Sequence, residues 1–308
     1  MLKRATAAVF VILLVLTLIF SASCKSHESS VEPSSKSFLW QVTSDNTTVY
    51  LLGSVHAAKA DLYPLNPAIE DAYDDSQYVV VEVDTSSIDL FESAQLLMEK
   101  GMYPPGEDLQ NNIPADLYSR LIDRLEEFDS AGLFLSTVDS FEPWVVYSMI
   151  ADLEYMELGY EAEYGIETYF LDKAAEDGKA VLELESIEFQ LDILDSLPNE
   201  LQIMLLEDTV DNPLVEIENE IESMFEAWRT GDVAEMERMV FSGVDEYPEY
   251  QLINEKLLDE RNFLMVEKIE GYLEEDEVYF VIVGAAHLVG ENGLVNLLIE
   301  AGYDVEQL

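Results

Sequence analysis

The sequence predicts an α/β fold: a central sheet built from N- and C-terminal strand–GxxH–helix–strand half-units, with a long helical insertion. Three observations lead there. Two apolar strands end in one pattern, Gly53-Ser54-Val55-His56 and Gly284-Ala285-Ala286-His287. Each is followed by a helical segment and another strand, the order of a βαβ unit. Between them, about 88–270 carries apolar residues mostly at the 3.6-residue spacing of amphipathic helices. The composition supports a real core, with 49% hydrophobic residues, although 64 acidic against 15 basic side chains give a formal charge of −49. That acidity repels phosphate backbones, so no nucleic-acid partner is expected.

Along the chain, residues 1–23 read as a signal peptide. Lys3 and Arg4 precede the apolar run Ala5–Phe20, and Ser21-Ala22-Ser23 supplies small residues for cleavage. Cys24, the single cysteine, follows at once. Its position resembles a bacterial lipobox, with Ser21 where leucine is usual, so Cys24 is a lipidation candidate. An ordinary secretory cleavage or an uncleaved signal anchor are the alternatives. All three routes export the chain, and lipid or anchor would tie it to the membrane as a cell-envelope protein. Residues 24–37 are Ser-rich and read as a tether. The folded domain is then 38–308.

In that domain Phe38–Val42 and Thr48–Leu52 read as strands around a turn at Asn46. A helix is expected near Ala68–Asp75, then the apolar strand Tyr78–Asp84. Within the insertion the better helices are Asp116–Asp129, Pro143–Leu158, Glu167–Asp177, Pro213–Thr230 and Tyr250–Tyr272, with one strand at Ala180–Glu185. The C-terminal unit is a strand at Val278–Val283, a helix at Leu294–Ala301 stopped by Gly302, and a short strand at Tyr303–Leu308. Acidic runs such as Glu274–Glu277 lack calcium-loop spacing and read as solvated faces.

Chemistry is expected at strand ends, where side chains of an open α/β sheet converge. The glycine of each pattern would allow a sharp turn, and the histidine would point back across the strand ends. Two neutral imidazoles suit a divalent transition metal, with a carboxylate completing the set. Glu82 and Glu185 both close apolar strands and are the candidate carboxylates. There is no HExxH, GxSxG or catalytic cysteine pattern, which disfavours zincin, α/β-hydrolase and thiol-protease mechanisms.

The segments YLLGSVHAAKADLYPL, VVVEVD, YGIETYFLDKAAEDGKAVLELESIEFQLDIL, LLDERNFLMVEKI and YFVIVGAAHLVGENGLVNLLIEAGYDVEQL resemble the TraB/GumN family in order over about 38–308. That family is related to the Tiki proteases and more distantly to erythromycin esterases. The resemblance implies a metal-dependent centre at His56, Glu82 and His287, with manganese or cobalt as the ion and zinc as a further candidate. It places an Glu-Arg-Asn motif on Glu260-Arg261-Asn262 and a second element on Leu184-Glu185-Ser186 with Gln190.

A metal at such a centre would polarise a carbonyl and acidify water, which makes the chain an exported amide or ester hydrolase, Tiki-like if the substrate is a peptide. Glu185 would then serve beside the metal or as general base. Arg261 would bind a substrate carboxylate or oxyanion, or make a salt bridge among the many acids. Asn262 shares its motif and is a substrate-binding candidate, and Tyr164 would line the pocket or pack at a helix start. The alternative is a non-catalytic lipoprotein that sequesters an exported peptide.

Overall fold

The computed structural model describes residues 36–128, 132–244 and 247–308. The signal peptide, Cys24 and the tether up to residue 35 lie outside the described residues. The tether's last residue, Ser37, is already part of the fold: it is buried, and its N–H donates to the Leu308 carbonyl.

Six strands form one mixed sheet: β1 (Leu39–Thr43), β2 (Thr48–Ser54), β3 (Tyr78–Val81), β4 (Ala180–Glu183), β5 (Tyr279–Gly284) and β6 (Asp304–Gln307), in the order β4-β3-β5-β2-β1-β6. β4, β3, β5 and β2 are mutually parallel, while β1 is antiparallel to both β2 and β6. Five strands therefore run one way and β1 alone runs against them. β1 and β2 form a hairpin whose turn is closed by Ser44, its Oγ accepting from the N–H groups of Asn46 and Thr47.

Each crossover has a local cause. Asn66 caps the helix Pro67–Asp75 by accepting from the Ala68 N–H, and Pro67 presets its first turn. The helix Ile166–Asp177 stops at Gly178, whose φ of +69° is the left-handed C-terminal cap, and β4 follows at once. β5 reads Tyr-Phe-Val-Ile-Val because both its faces are covered, and its first five residues are buried. Tyr73 and Phe170, one from each of these helices, pack on Phe280 with ring centroids 5.8 and 4.9 Å away. A second apolar core contains no strand and joins the helices Ala115–Glu126, Pro143–Glu157 and Asn199–Asp211 around Trp144, Leu121 and Leu206.

Expected and observed elements agree closely in the two terminal units, with two refinements. β5 lies between β2 and β3, so the N-terminal crossover skips one strand, and the C-terminal crossover from β5 to β6 skips the whole hairpin. The helix expected at 250–272 contains a π-helical stretch, Glu255–Asp259, between Pro248–Asn254 and Glu260–Leu273. The helices Leu90–Gly101, Ile187–Asp195, Asn199–Asp211 and Val233–Val240 were not among those expected. Tertiary packing decides which face each of them buries. Among the described residues no helix is long and apolar enough to cross a membrane.

Candidate functional site

Four adjacent parallel strands each deliver one candidate side chain at their carboxyl ends. Glu185 lies just past β4, Glu82 directly after β3, His287 three residues past β5 and His56 two past β2. This juxtaposition follows from strand order, since β5 enters between β2 and β3 from the far end of the chain.

The two Gly-x-x-His patterns are not equivalent. Neither glycine has a positive φ, so neither makes the sharp turn that the sequence suggested. Gly53 pairs with Val283 and Gly284 with Ser54, an offset of one residue that turns the two glycines to opposite faces. A Cβ on Gly53 would stand 2.4 Å from Phe38 Cδ1, so this glycine makes room for the core. A Cβ on Gly284 would instead stand 3.4 Å from Glu82 Oε1, 3.6 Å from His287 Cδ2 and 3.9 Å from His56 Nε2. Gly284 thus keeps open the one point on which the three proposed ligands converge.

Around that point the polar groups are densely paired. Glu82 is buried; its Oε1 accepts from the Gly284 N–H at 2.7 Å, and its Oε2 takes Arg261 Nη2 at 2.5 Å and Gln190 Nε2 at 3.1 Å. Arg261 also donates to Glu185 from Nε and Nη2, at 2.9 and 2.7 Å, and from Nη1 to the Leu257 carbonyl at 3.1 Å. It is therefore a clamp across two buried carboxylates, the salt-bridge option of the sequence reading. Burial opposes its charge, but Glu82 and Glu185 outweigh that and raise its pKa.

The two imidazoles are held differently. His287 Nδ1 lies 2.6 Å from Asn262 Oδ1. Because Asn262 Nδ2 donates to the Asn292 carbonyl, the amide's orientation is settled, and His287 must be the donor. Its Nε2 then carries the lone pair, 3.7 Å from Glu82 Oε1. Burial, with Arg261 nearby, pushes the His287 pKa well down, keeping the ring neutral. His56 Nδ1 lies 3.0 Å from Glu167 Oε1, which also accepts from Ser54 Oγ. Burial works against a charged His56, yet Glu167 and Glu82 outweigh it and the pKa rises. Asp152, on the helix Pro143–Glu157, feels the His56 charge, but burial dominates and lifts its carboxyl to about 8.

A cleft opens over this centre. Its polar floor is made by His56, Glu82, Arg261 and His287, with Glu185 behind Arg261 and outside the lining, and its apolar wall comes from the insertion, chiefly Met224, Met236, Met239, Val240, Leu258 and Tyr155. Asn262 sits behind His287 instead of lining the cleft, and Tyr164 packs against the sheet core, accepting a hydrogen bond from Tyr63 through its carbonyl. Glu167 and the methionine wall escaped sequence reasoning. The trace of Glu167 was a glycine two residues before it at a helix start; the methionines carry no motif.

The donor set suits a divalent transition ion in type: two imidazoles with Nδ1 engaged, each leaving Nε2 for a metal, and a carboxylate oxygen. It is not drawn into a closed cage. Among the described residues no group of three or more His, Cys, Asp or Glu side chains is placed to hold a metal ion. Glu82 is already neutralised by Arg261.

Known proteins resemble the chain in sequence over most of its length. The chain is 23% identical to the metalloprotease TIKI1 of Xenopus tropicalis, over 92% of this chain and 64% of that protein. It is 26% identical to the Escherichia coli (strain K12) protein YbaP, over 82% of this chain and 88% of that one. Against human metalloprotease TIKI1 the identity is 23%, over 88% of this chain and 61% of the relative. The chain thus spans less than two thirds of the length of these TIKI1 proteins. No solved structure matches. The model of the TraB/PrgY/gumN family matches residues 38–307, strand-end cluster included, and the chain belongs to that family.

Proposed function

We propose that this chain is an exported member of its family that captures a peptide, or a small amide or ester, in the cleft above the strand ends. One observation carries the reading: an apolar, methionine-rich wall faces a compact polar floor, the make-up of a ligand site. Methionine adapts its shape, which suits an extended chain with varied side chains. The floor is already hydrogen-bonded and charge-paired through Arg261, so capture requires no further component. Binding of a fluorescent peptide library to the purified protein tests it. Affinity that survives chelation and His56→Ala/His287→Ala supports capture; no binding to any member refutes it.

A hydrolytic reading of the same cleft is favoured by a different observation, the convergence of His56 Nε2, His287 and Glu82 Oε1 on Gly284. These three residues would hold a divalent ion, manganese or cobalt first and zinc next, which would supply Lewis acidity and an acidified water. His56 and His287 would orient it through their fixed Nδ1 contacts, and Arg261 would hold the Glu82 carboxylate in place. Metal analysis of the purified protein and cleavage of the same library separate the two readings. Cleavage lost in His56→Ala supports hydrolysis, while wild-type protein that takes up no manganese, cobalt or zinc refutes it. Export through residues 1–23, with Cys24 as lipid anchor, belongs to both readings, and mass spectrometry of the mature N-terminus tests it.

A further inference from the structure

We infer that Glu167 is the positioning residue of His56, fixing the ring so that Nε2 faces the point kept open by Gly284. The inference rests on the hydrolytic reading, in which that nitrogen is a metal ligand. Glu167 Oε1 lies 3.0 Å from His56 Nδ1 and accepts from Ser54 Oγ as well. In the neutral ring a proton held on Nδ1 leaves the lone pair on Nε2. The same ring nitrogen stands 3.9 Å from where a Gly284 Cβ would be.

The backbone makes this contact rigid. Gly165, just before the helix Ile166–Asp177, lies so close to His56 that a Cβ would stand 2.2 Å from the His56 carbonyl oxygen. The Ile166 N–H donates to the Val55 carbonyl at 3.0 Å, and Ala58 and Glu161 exchange backbone hydrogen bonds at 3.1 and 2.8 Å. The helix start is thereby stitched to both sides of the His56 turn. Glu167 falls in the helix's first turn, where the helix dipole favours a carboxylate.

A carboxylate placed for stability would have both oxygens satisfied. Glu167 Oε2 is buried without a hydrogen-bond partner, so this side chain is desolvated for the sake of its contacts to His56 and Ser54. The other imidazole is held by an amide oxygen, that of Asn262. A carboxylate acceptor makes its ring the stronger donor to a metal, so the two histidines are differentiated by their partners.

The test uses the full chain with Glu167→Ala, Glu167→Gln and Glu167→Asp, cobalt(II) as the probe ion, and two readouts. The first is nitrogen-15 NMR of the His56 ring in metal-free protein, followed upward in pH until the ring is neutral, where it reports the nitrogen that carries the single proton. The second is cobalt affinity from the visible spectrum. Wild type is expected to show protonated Nδ1, a preference that Glu167→Ala loses. Cobalt affinity is expected to fall about 10- to 100-fold in Glu167→Ala, less in Glu167→Gln, and to recover in part in Glu167→Asp. If Glu167→Ala unfolds, the isosteric Glu167→Gln carries the same comparison. Unchanged tautomer and affinity in a folded variant overturn the inference. If wild type binds no cobalt, the hydrolytic reading fails, and the tautomer readout alone decides the role of Glu167.

Discussion

Replacing Arg261 with methionine removes the one cation placed between Glu82 and Glu185 while keeping an apolar stem of similar reach. In the native protein its guanidinium meets Glu82 at 2.5 Å and Glu185 at 2.7 Å, and the side chains are 8%, 3% and 2% exposed respectively. Removing one partner of a buried ion pair strands the other charge, at a cost of about 3–5 kcal/mol. Here two carboxylates are stranded, but Gln190 and the Gly284 N–H still donate to them, so the lower half of that range is expected. For a domain of this size that corresponds to roughly 6–16 °C in melting temperature. Adding Glu82→Gln and Glu185→Gln to Arg261→Met should restore most of the stability. Urea denaturation of wild type, Arg261→Met and the triple variant at pH 7 measures it. An Arg261→Met protein as stable as wild type at pH 7, or no recovery on neutralising both glutamates, would refute the clamp.

Gly53→Ala should destabilise by about 1–3 kcal/mol through overpacking against Phe38. Gly284→Ala, whose new methyl meets only ordinary contacts, should leave the melting temperature nearly unchanged but weaken ligand or metal binding at least tenfold; equal effects of the two on stability would contradict their assigned roles. Burial lifts the Glu154 carboxyl to about 7 against the pull of Arg124, so the native state keeps a proton that the unfolded chain releases at lower pH. This group therefore lowers stability as pH rises from about 4.5 to 7, by at most about 1.4 kcal/mol per pH unit. Relative to wild type, Glu154→Gln should gain across that window, and a pH-independent difference in denaturation free energy would exclude the effect. With a formal charge of −49, stability should rise between dilute buffer and molar salt as self-repulsion is screened. Identical denaturation midpoints would remove self-repulsion as a factor.

Much of the sheet was legible because a buried parallel strand is a short apolar run with clear ends. Tyr78–Val81 and Tyr279–Gly284 needed no context to be found, and the histidines that follow Thr48–Ser54 and Tyr279–Gly284 were conspicuous in a chain with only three. The insertion was less legible. The surfaces that Ile187–Asp195 and Val233–Val240 bury are defined by neighbours far away in sequence.

By itself, then, the sequence determined the two terminal half-units, the placement of His56, Glu82, Glu185 and His287 at strand ends, and the acidity of the whole surface. It also carried the family resemblance. Tertiary structure decided how those residues are used. Strand order set the four side by side, and a one-residue register offset between β2 and β5 gave the two glycines different duties. Packing of the helix Glu260–Leu273 made Arg261 a clamp, and the close approach at Gly165 brought Glu167 to His56. The physical reason is range. Apolar runs and turn residues act over a few neighbours and can be read from the chain. Charge pairing and hydrogen-bond direction depend on separations of about 3 Å between atoms that only the completed fold brings together.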